Sequence, residues 1–304
     1  MEVLRVKMGF EGMFVVDPVG RSGGLALCWK DKDLVGIQNF SQCHINAIIK
    51  PTMGKNGWKF TGFYGHLVWT KRHESWSLLR HLNTYLPQAW LCVGDFNEIT
   101  NQTEQVGVNL RREGQMAQFR EVLEECNLCD LEFIGLKYTW NNGREDDGFI
   151  KERLDRAVAN LGWCCLFKKM EVKVLAARMS DHKPLLLSFS NDNGGMVSSN
   201  RGSKFEARWL HDEESQAIIT KAWGLETCGG ASMPTTQKKL VACKIALASW
   251  SWQKYGNVEK EIKAKTKRLK KLQMNECQVT IGQIKQLTGE IDCILEQEDT
   301  KWKK

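Results

Sequence analysis

Short apolar runs, each bounded by glycine or polar residues, most constrain how the first part of this chain can fold. Residues 25–29 follow two glycines, and residues 90–93 lead directly into a Gly-Asp pair. Residues 46–49 and 58–64 flank an Asn-Gly pair, which is a strong hairpin signal. Runs of this length are typical of buried strands, so the sequence predicts a core rich in β-sheet.

Two amphipathic segments accompany these strands. Residues 75–85 and 116–126 carry apolar side chains at helical spacing, and Pro87 ends the first segment. Residues 185–189 form a further apolar run, which closes this part of the chain. Strands outnumber helices, and helices with one apolar face typically cover a sheet. The sequence therefore predicts a mixed α/β (α+β) domain over residues 1–190.

The chain changes character after this domain. Residues 191–203 are small, polar and rich in glycine and serine, which is typical of a flexible linker. Residues 204–304 are predicted to form a helical connector whose last part contains two long helices, open to pairing as an antiparallel hairpin. We expect helices over residues 214–223, 238–255 and 257–297.

Positive charge is concentrated towards the end of the chain. The whole chain carries a formal charge of +7. Residues 254–304 contain 12 Lys and Arg against 8 Asp and Glu, a net +4, which leaves +3 for all other residues. A basic helix attracts nucleic acid without sequence preference, but a solvated helix face has the same composition. The candidate nucleic-acid-binding residues are Lys263, Lys265, Lys267, Arg268, Lys270 and Lys271.

Cysteine usage and hydropathy bear on the cellular compartment. The 11 cysteines are an odd number, and the N-terminus has no uninterrupted apolar stretch of the signal-peptide kind. We expect free thiols in an intracellular reducing compartment, nuclear or cytoplasmic. No apolar run approaches the roughly 20 residues that span a bilayer, so no membrane partner is expected. Cys126 and Cys129 are spaced like zinc ligands, but no second pair accompanies them.

A first cluster of chemically capable residues follows the apolar run at residues 90–93. Residues 94–98 read Gly-Asp-Phe-Asn-Glu. Asp95 can hold a metal ion or transfer a proton, and Asn97 can orient a phosphate oxygen or a water molecule. An Asp-x-Asn turn that caps its own backbone has the same residues. On this segment alone, the catalytic and the structural interpretation both stay open.

Two further clusters contain residues typical of acid–base chemistry. Residues 180–184 read Ser-Asp-His-Lys-Pro, and a histidine such as His182 titrates near neutral pH and can act as a general base. Residues 152–156 read Glu-Arg-Leu-Asp-Arg, and Asp155 is able to hold an imidazole in one tautomer. The alternatives are a surface polar pair at Asp181 and His182 and an ordinary charged turn at residues 152–156.

The order of these clusters carries more information than any one of them. A tyrosine at a strand end (Tyr64), then Gly-Asp-Phe-Asn, Arg-Leu-Asp-Arg and Ser-Asp-His-x-Pro, resembles the endonuclease/exonuclease/phosphatase superfamily. Within it, the chain is similar to the endonuclease region of plant LINE-type (non-LTR) retroelement reverse transcriptase polyproteins. Residues 204–209 and 250–252 resemble the helical connector that precedes the polymerase in such polyproteins. Further similar stretches are residues 14–27, 60–65, 138–142 and 152–157.

The resemblance implies a four-layer α/β sandwich with a Mg²⁺- or Mn²⁺-dependent phosphodiesterase site at one end of its paired sheets. It implies that His182 acts as general base or polarises the phosphate, with Asp155 orienting its ring. Asp95 would activate water or protonate the leaving oxygen. The implied roles of the others are phosphate binding for Asn97 and Tyr64, and metal binding for Asp181. DNA is the expected partner, with RNA as the alternative.

The sequence departs from the family pattern at its beginning. The family's first strand carries an Asn, and a following strand ends in a metal-binding Glu; this chain is expected to begin after both. Weak or absent turnover is therefore the expectation. Three functions stay open: a DNA-nicking endonuclease, an inactive remnant that binds nucleic acid or protein through its basic helical tail, and a phosphatase for a small phosphorylated ligand.

Overall fold

The computed structural model divides the chain into two compact units. The first unit comprises Met1–Gly195 with Glu276–Ile281, and the second comprises Met196–Asn275 with Gly282–Lys304. The predicted linker at residues 191–203 lies outside the described residues, and its flexibility stays a prediction. The structure describes residues 1–20, 24–50, 57–83, 88–190, 209, 212–224 and 233–301.

The first unit combines helices with many short strands. Its helices are α1 (Glu2–Met8), α2 (Arg72–Leu82), α3 (Glu113–Glu125) and α4 (Leu161–Leu166). Its strands are β1 (Gly12–Val16), β2 (Leu25–Trp29), β3 (Val35–Ser41), β4 (His44–Ile49), β5 (Trp58–Tyr64), β6 (Trp90–Asp95), β7 (Gln105–Val106), β8 (Cys129–Asp130), β9 (Phe133–Gly135), β10 (Trp140–Asn141), β11 (Lys151–Glu152), β12 (Asp155–Ala159), β13 (Lys169–Val174) and β14 (Leu185–Ser190).

A six-stranded sheet forms the centre of this unit, with the strand order β3-β4-β5-β6-β12-β8. β5 and β6 are parallel, whereas β4 pairs antiparallel with β5 and β6 pairs antiparallel with β12. The predicted antiparallel pairing of β4 with β5 is thus confirmed, although turn residues 51–56 lie outside the described part. A second sheet has the order β14-β13-β9.

Both faces of the six-stranded sheet are covered. On one face, α2 and α3 contribute Trp76, Leu79 and Phe119 to a buried cluster, in which the Trp76 and Phe119 rings stack at 4.8 Å. On the other face, α4 and the β13–β14 sheet bury Trp163 and Val172. The order is therefore helix, sheet, sheet, and the mixed α/β class predicted from the sequence is confirmed.

Residues 152–156 are not the charged turn that was their alternative interpretation. Arg153 and Arg156 are buried, and Arg156 lies in β12. Both guanidinium groups bind Glu104 and Asp130, with nitrogen–oxygen distances of 2.7–2.8 Å. Burial alone would raise the pKa of Glu104, but Arg156 and Arg153 lower it to about 2. Buried charge needs such partners, which makes this network part of the core.

The second unit is helical. Its helices are α5 (Glu213–Gly224), α6 (Met233–Met274) and α7 (Gln278–Lys301). The predicted pair of long helices is confirmed, but the predicted interruption at Gly256 is wrong, because α6 runs through it and the break falls at residues 275–277. A glycine costs a helix only about 1 kcal/mol, which side-chain packing along a long helix outweighs. Leu269 of α6 packs against Leu287 and Ile291 of α7.

Neither unit contains a described helix that is long and apolar enough to cross a membrane.

Candidate active site

Three neighbouring strands have residues expected to carry the chemistry at one edge of the sheet, where β5 and β6 end and β12 begins. In the parallel pairing of β5 with β6, Tyr64 lies opposite Asp95. In the antiparallel pairing of β6 with β12, Asp95 lies opposite Asp155. The register therefore places Tyr64, Asp95 and Asp155 side by side in one row across the sheet, although 91 positions separate the first from the last in the chain.

Two glycines allow the backbone to pack closely at the end of this row. A Cβ at Gly65 would lie 2.1 Å from the carbonyl oxygen of Phe96, and a Cβ at Gly94 would lie 1.9 Å from that of Phe63. Both distances are shorter than any real contact, so no other residue fits at either position without moving the backbone. The Gly-Asp start of the 94–98 motif thus has a steric reason.

Asn97 holds Asp95 in place. Asn97 adopts a positive φ of 55°, a conformation that asparagine tolerates better than most residues. Its backbone N–H donates to Asp95 Oδ1 at 2.8 Å, and its side-chain Nδ2 donates to Asp95 Oδ2 at 3.1 Å and to the carbonyl of Gly65 at 2.8 Å. Both amide protons are thereby engaged, so Asn97 orients Asp95, and it binds a phosphate only by releasing one of these bonds.

His182 completes the site. Its Nδ1 lies 2.8 Å from Asp155 Oδ2, and its Nε2 lies 3.9 Å from Asp95 Oδ2. A carboxylate only accepts hydrogen bonds, so Nδ1 carries the proton and Nε2 is directed towards Asp95. Ser180 Oγ accepts a hydrogen bond from the backbone N–H of His182 at 3.0 Å.

The charges of these groups perturb one another. Burial raises the pKa of Asp95 to about 6, the negative charge of Asp155 adds to the rise, and His182 opposes it. Burial alone would lower the pKa of His182, but its hydrogen bond to Asp155 and the charges of Asp155 and Asp95 outweigh burial and raise it. Burial and Asp95 together raise the pKa of Tyr64. Perturbed groups of this kind concentrate at functional sites.

The site opens into a cavity of 610 Å³, whose lining includes Asp155, His182 and Gly94. Asp181, the predicted metal ligand, is not part of the group of donor atoms formed by Asp95, Asp155 and His182. Its Oδ2 accepts a hydrogen bond from Trp140 Nε1 at 2.9 Å, and its side chain is exposed. The structure therefore brings the six predicted residues of this domain into one neighbourhood, with Asp181 at its rim.

Part of this set suits a divalent cation. Asp95, Asp155 and His182 each offer a donor atom, and these atoms all lie within 4.8 Å of one another. Burial is the main cause of the raised pKa of Asp95, and the like charge of Asp155 adds to it; a cation would neutralise that like charge. Carboxylate oxygens are ligands that Mg²⁺ and Mn²⁺ prefer. Asp95 and Asp155 therefore fit such an ion, whereas His182 is engaged by Asp155 through Nδ1.

The predicted nucleic-acid-binding residues lie elsewhere, on α6 of the second unit. Five of the six are exposed, whereas Lys265 is half-buried and binds Glu290. Lys263, Lys267 and Lys270 recur at helical spacing and share one face.

Two supporting residues escaped the sequence interpretation. Thr139 is completely buried, and its Oγ1 accepts hydrogen bonds from the backbone N–H groups of Leu154 and Asp155, each at 2.9 Å. Glu98 is also completely buried and pairs with Arg72. Thr139 lies in a stretch that the family resemblance includes, and Glu98 directly follows the Gly-Asp-Phe-Asn motif, so proximity to these motifs was the available signal for each.

No family model matches this chain, and no curated protein does. Solved structures give distant similarities. The endonuclease domain of TRAS1, a telomere-specific non-LTR retrotransposon, is 14% identical over 60% of this chain and 82% of its own, with a TM-score of 0.45. The 3′ phosphatase NExo from Neisseria, bound to a product DNA hairpin, is 16% identical over 62% and 82%, with a TM-score of 0.46. An endonuclease/exonuclease/phosphatase family protein from Leptotrichia buccalis is 17% identical over 59% and 72%, with a TM-score of 0.36.

Proposed function

We propose that the first unit is a metal-dependent phosphodiesterase of the endonuclease/exonuclease/phosphatase type. The observation that supports this most is the arrangement of Asp155, His182 and Asp95, in which one carboxylate orients the imidazole and the other faces its Nε2. Hydrolysis of a phosphodiester requires an activated water, a proton donor and positive charge near the phosphate oxygens. This arrangement supplies the first two.

The residues divide these tasks by their proton affinities. Asp95, with a pKa of about 6, is deprotonated at neutral pH and takes a proton from the attacking water. His182, whose pKa is raised, is protonated to a larger extent and donates from Nε2 to a phosphate oxygen. Tyr64 binds the phosphate with its hydroxyl. A divalent cation held by Asp95 and Asp155, with Asp181 nearby, would neutralise charge on the phosphate oxygens.

More particularly, we propose that the chain is a plant LINE-type retroelement endonuclease domain acting on DNA. The proposal rests on the order of the quoted motifs along the chain. Turnover is expected to be slow, because the described donor group contains only two carboxylates, and a hard cation with so few charged ligands binds weakly. A phosphatase acting on a small ligand has no specific support in these residues.

A second candidate function is binding of nucleic acid by the second unit. It is favoured by the cations on α6, because Lys263, Lys267 and Lys270 are exposed on one face. Such a face attracts phosphates without reading sequence, and its affinity falls steeply with salt.

Nicking of supercoiled plasmid, with Mg²⁺ or Mn²⁺ and with chelator, tests the first proposal. Cation-dependent nicking is expected, and His182→Ala should lower its rate at least about 100-fold because the proton donor is lost. His73→Ala, at an exposed histidine of α2, is the matched control and should nick like the unaltered protein. Equal nicking by both variants would reveal a contaminant. A folded protein that does not nick would exclude the hydrolase and leave the second candidate.

A further inference from the structure

A second groove lies next to the candidate active site and takes no part in the mechanism above. It has a volume of 380 Å³, and its lining includes Trp69, Arg112, Gln115, Trp140 and Glu152. Trp140 connects it to the site: the Trp140 and His182 backbones form a β-bridge, and their rings lie 6.5 Å apart. A molecule held in this groove therefore lies beside the catalytic histidine.

One wall of the groove is an exposed tryptophan with a cation over its ring. Trp69, in the 3-10 turn before α2, is 54% exposed. The guanidinium of Arg112 lies 5.4 Å from the centre of the indole. Arg112 forms no ion pair with a described carboxylate, whereas Glu152 at the groove's floor is neutralised by Arg111 at 2.7 Å. The groove thus combines an accessible aromatic surface with uncompensated positive charge.

Amide groups supply further hydrogen-bonding capacity. The side chains of Gln115 and Asn109 make no hydrogen bond with any described residue. Gln105, by contrast, is engaged, since its Nε2 donates to the carbonyl of Asn109. An aromatic platform, a guanidinium and free amides together match a nucleotide, because bases stack on indole and arginine binds phosphate.

We propose that this groove binds the unpaired nucleotide that flanks the scissile phosphate. Its base stacks on Trp69, its phosphate contacts Arg112, and Gln115 bonds to the edge of the base. The base is unpaired in this proposal because a base inside a duplex already stacks on its neighbours and has no free face for an indole ring. The inference rests on the proposed function, since it assigns a position along the substrate of that site.

Binding without cleavage tests the groove by itself. The protein carries His182→Ala, cations are chelated, and affinity is measured by fluorescence anisotropy of a labelled DNA hairpin with a single-stranded overhang. Trp69→Ala should weaken binding of this hairpin about tenfold, and that of a fully paired hairpin less than about twofold. Trp69→Phe should retain most of the affinity, because a phenyl ring also stacks.

Two controls distinguish binding in the groove from non-specific binding of DNA elsewhere on the protein. Trp223, on α5, is 41% exposed and also lies beside a cation, Lys239 at 5.7 Å, so Trp223→Ala tests an equivalent indole elsewhere and should not alter binding. Arg112→Gln should reduce the slope of log affinity against log salt by about 0.7, the value for one phosphate contact on a single strand. Arg80→Gln, on α2, should leave the slope unchanged.

The proposal is overturned if Trp69→Ala binds the overhang hairpin as tightly as Trp223→Ala does. It is equally overturned if Trp69→Ala weakens binding of both hairpins to the same degree, since the groove would then not distinguish an unpaired base from a paired one. The proposed function is tested separately, by nicking. If the unaltered protein does not nick DNA, the comparison of hairpin binding still tests the groove.

Discussion

At the scale of single residues, Asp155 determines both the orientation and the charge of His182. Replacing it with asparagine keeps the shape but removes the charge that raises the pKa of His182. Burial, which lowers that pKa, would then prevail. In the metal-free protein we expect Asp155→Asn to lower the pKa of His182, measured by NMR titration of the ring.

Asp181→Asn is the matched control for that titration. Asp181 also raises the pKa of His182, but it is the smallest of the contributing groups and is exposed. Its substitution should change the pKa less than Asp155→Asn does. An equal change in both variants would show that His182 responds to the total charge of the site and not to its partner at Nδ1.

Lys59 offers a second residue-scale test, here of stability against pH. Its ammonium lies 4.1 Å above the ring of Trp90, and burial lowers its pKa from 10.5 to about 8. Between these values the unfolded chain binds more protons than the folded one, so the free energy of unfolding rises with pH in this window. Lys59→Met removes the titrating group, and its stability advantage over the unaltered protein should be largest below pH 8 and shrink towards pH 10.5.

Urea unfolding of both proteins at several pH values gives that difference directly. Other groups titrate in the same range, but they are common to both proteins and cancel. A difference that does not vary with pH would mean that Lys59 has an ordinary pKa in the folded state.

At the scale of elements, periodicity predicted the strands and helices around the site well. β6 and β14 appear where apolar runs predicted them, and α3 covers the predicted segment. What the sequence left open was which strands become neighbours, because pairing joins residues far apart in the chain. The row of Tyr64, Asp95 and Asp155 depends on that pairing, so only the family resemblance, and not the spacing, brought these residues together in advance.

The buried ion pairs were missed for a different reason. Charged residues such as Arg153 and Arg156 predict an exposed turn when they are considered locally. Their partners, Glu104 and Asp130, come from other segments, and only the assembled fold neutralises them. Local patterns do not contain this information.

The packing of α6 against α7 can be tested with one pair of substitutions. Ile291 is completely buried between these helices, whereas Ile245 on α6 is 64% exposed. Ile291→Ala should lower the free energy of unfolding of the helical unit by about 2–5 kcal/mol, because it creates a cavity. Ile245→Ala should change it by less than about 0.5 kcal/mol. Urea unfolding followed by circular dichroism measures both, and equal effects would contradict the described packing.

At the scale of the whole molecule, the two units are stabilised differently and carry different candidate functions. The first unit buries a sheet core and two networks of paired charges, whereas the second depends on apolar contacts along long helices. Of the formal charge of +7, +4 lies in residues 254–304, most of which belong to the second unit. A substitution in the active site should therefore leave salt-dependent binding by α6 unchanged, since no residue is shared.

Cation binding links the active site to the stability of the molecule. A ligand that binds only the folded state adds about 2.7 kcal/mol at a concentration 100 times its dissociation constant. Mn²⁺ should therefore raise the Tm of the first unit, and the rise should saturate with concentration. Asp95→Asn should abolish the rise because it removes one of two carboxylates, whereas His73→Ala should preserve it. If Mn²⁺ shifts the Tm of all three proteins alike, Asp95 and Asp155 do not hold a cation, and charge neutralisation at the phosphate requires another source.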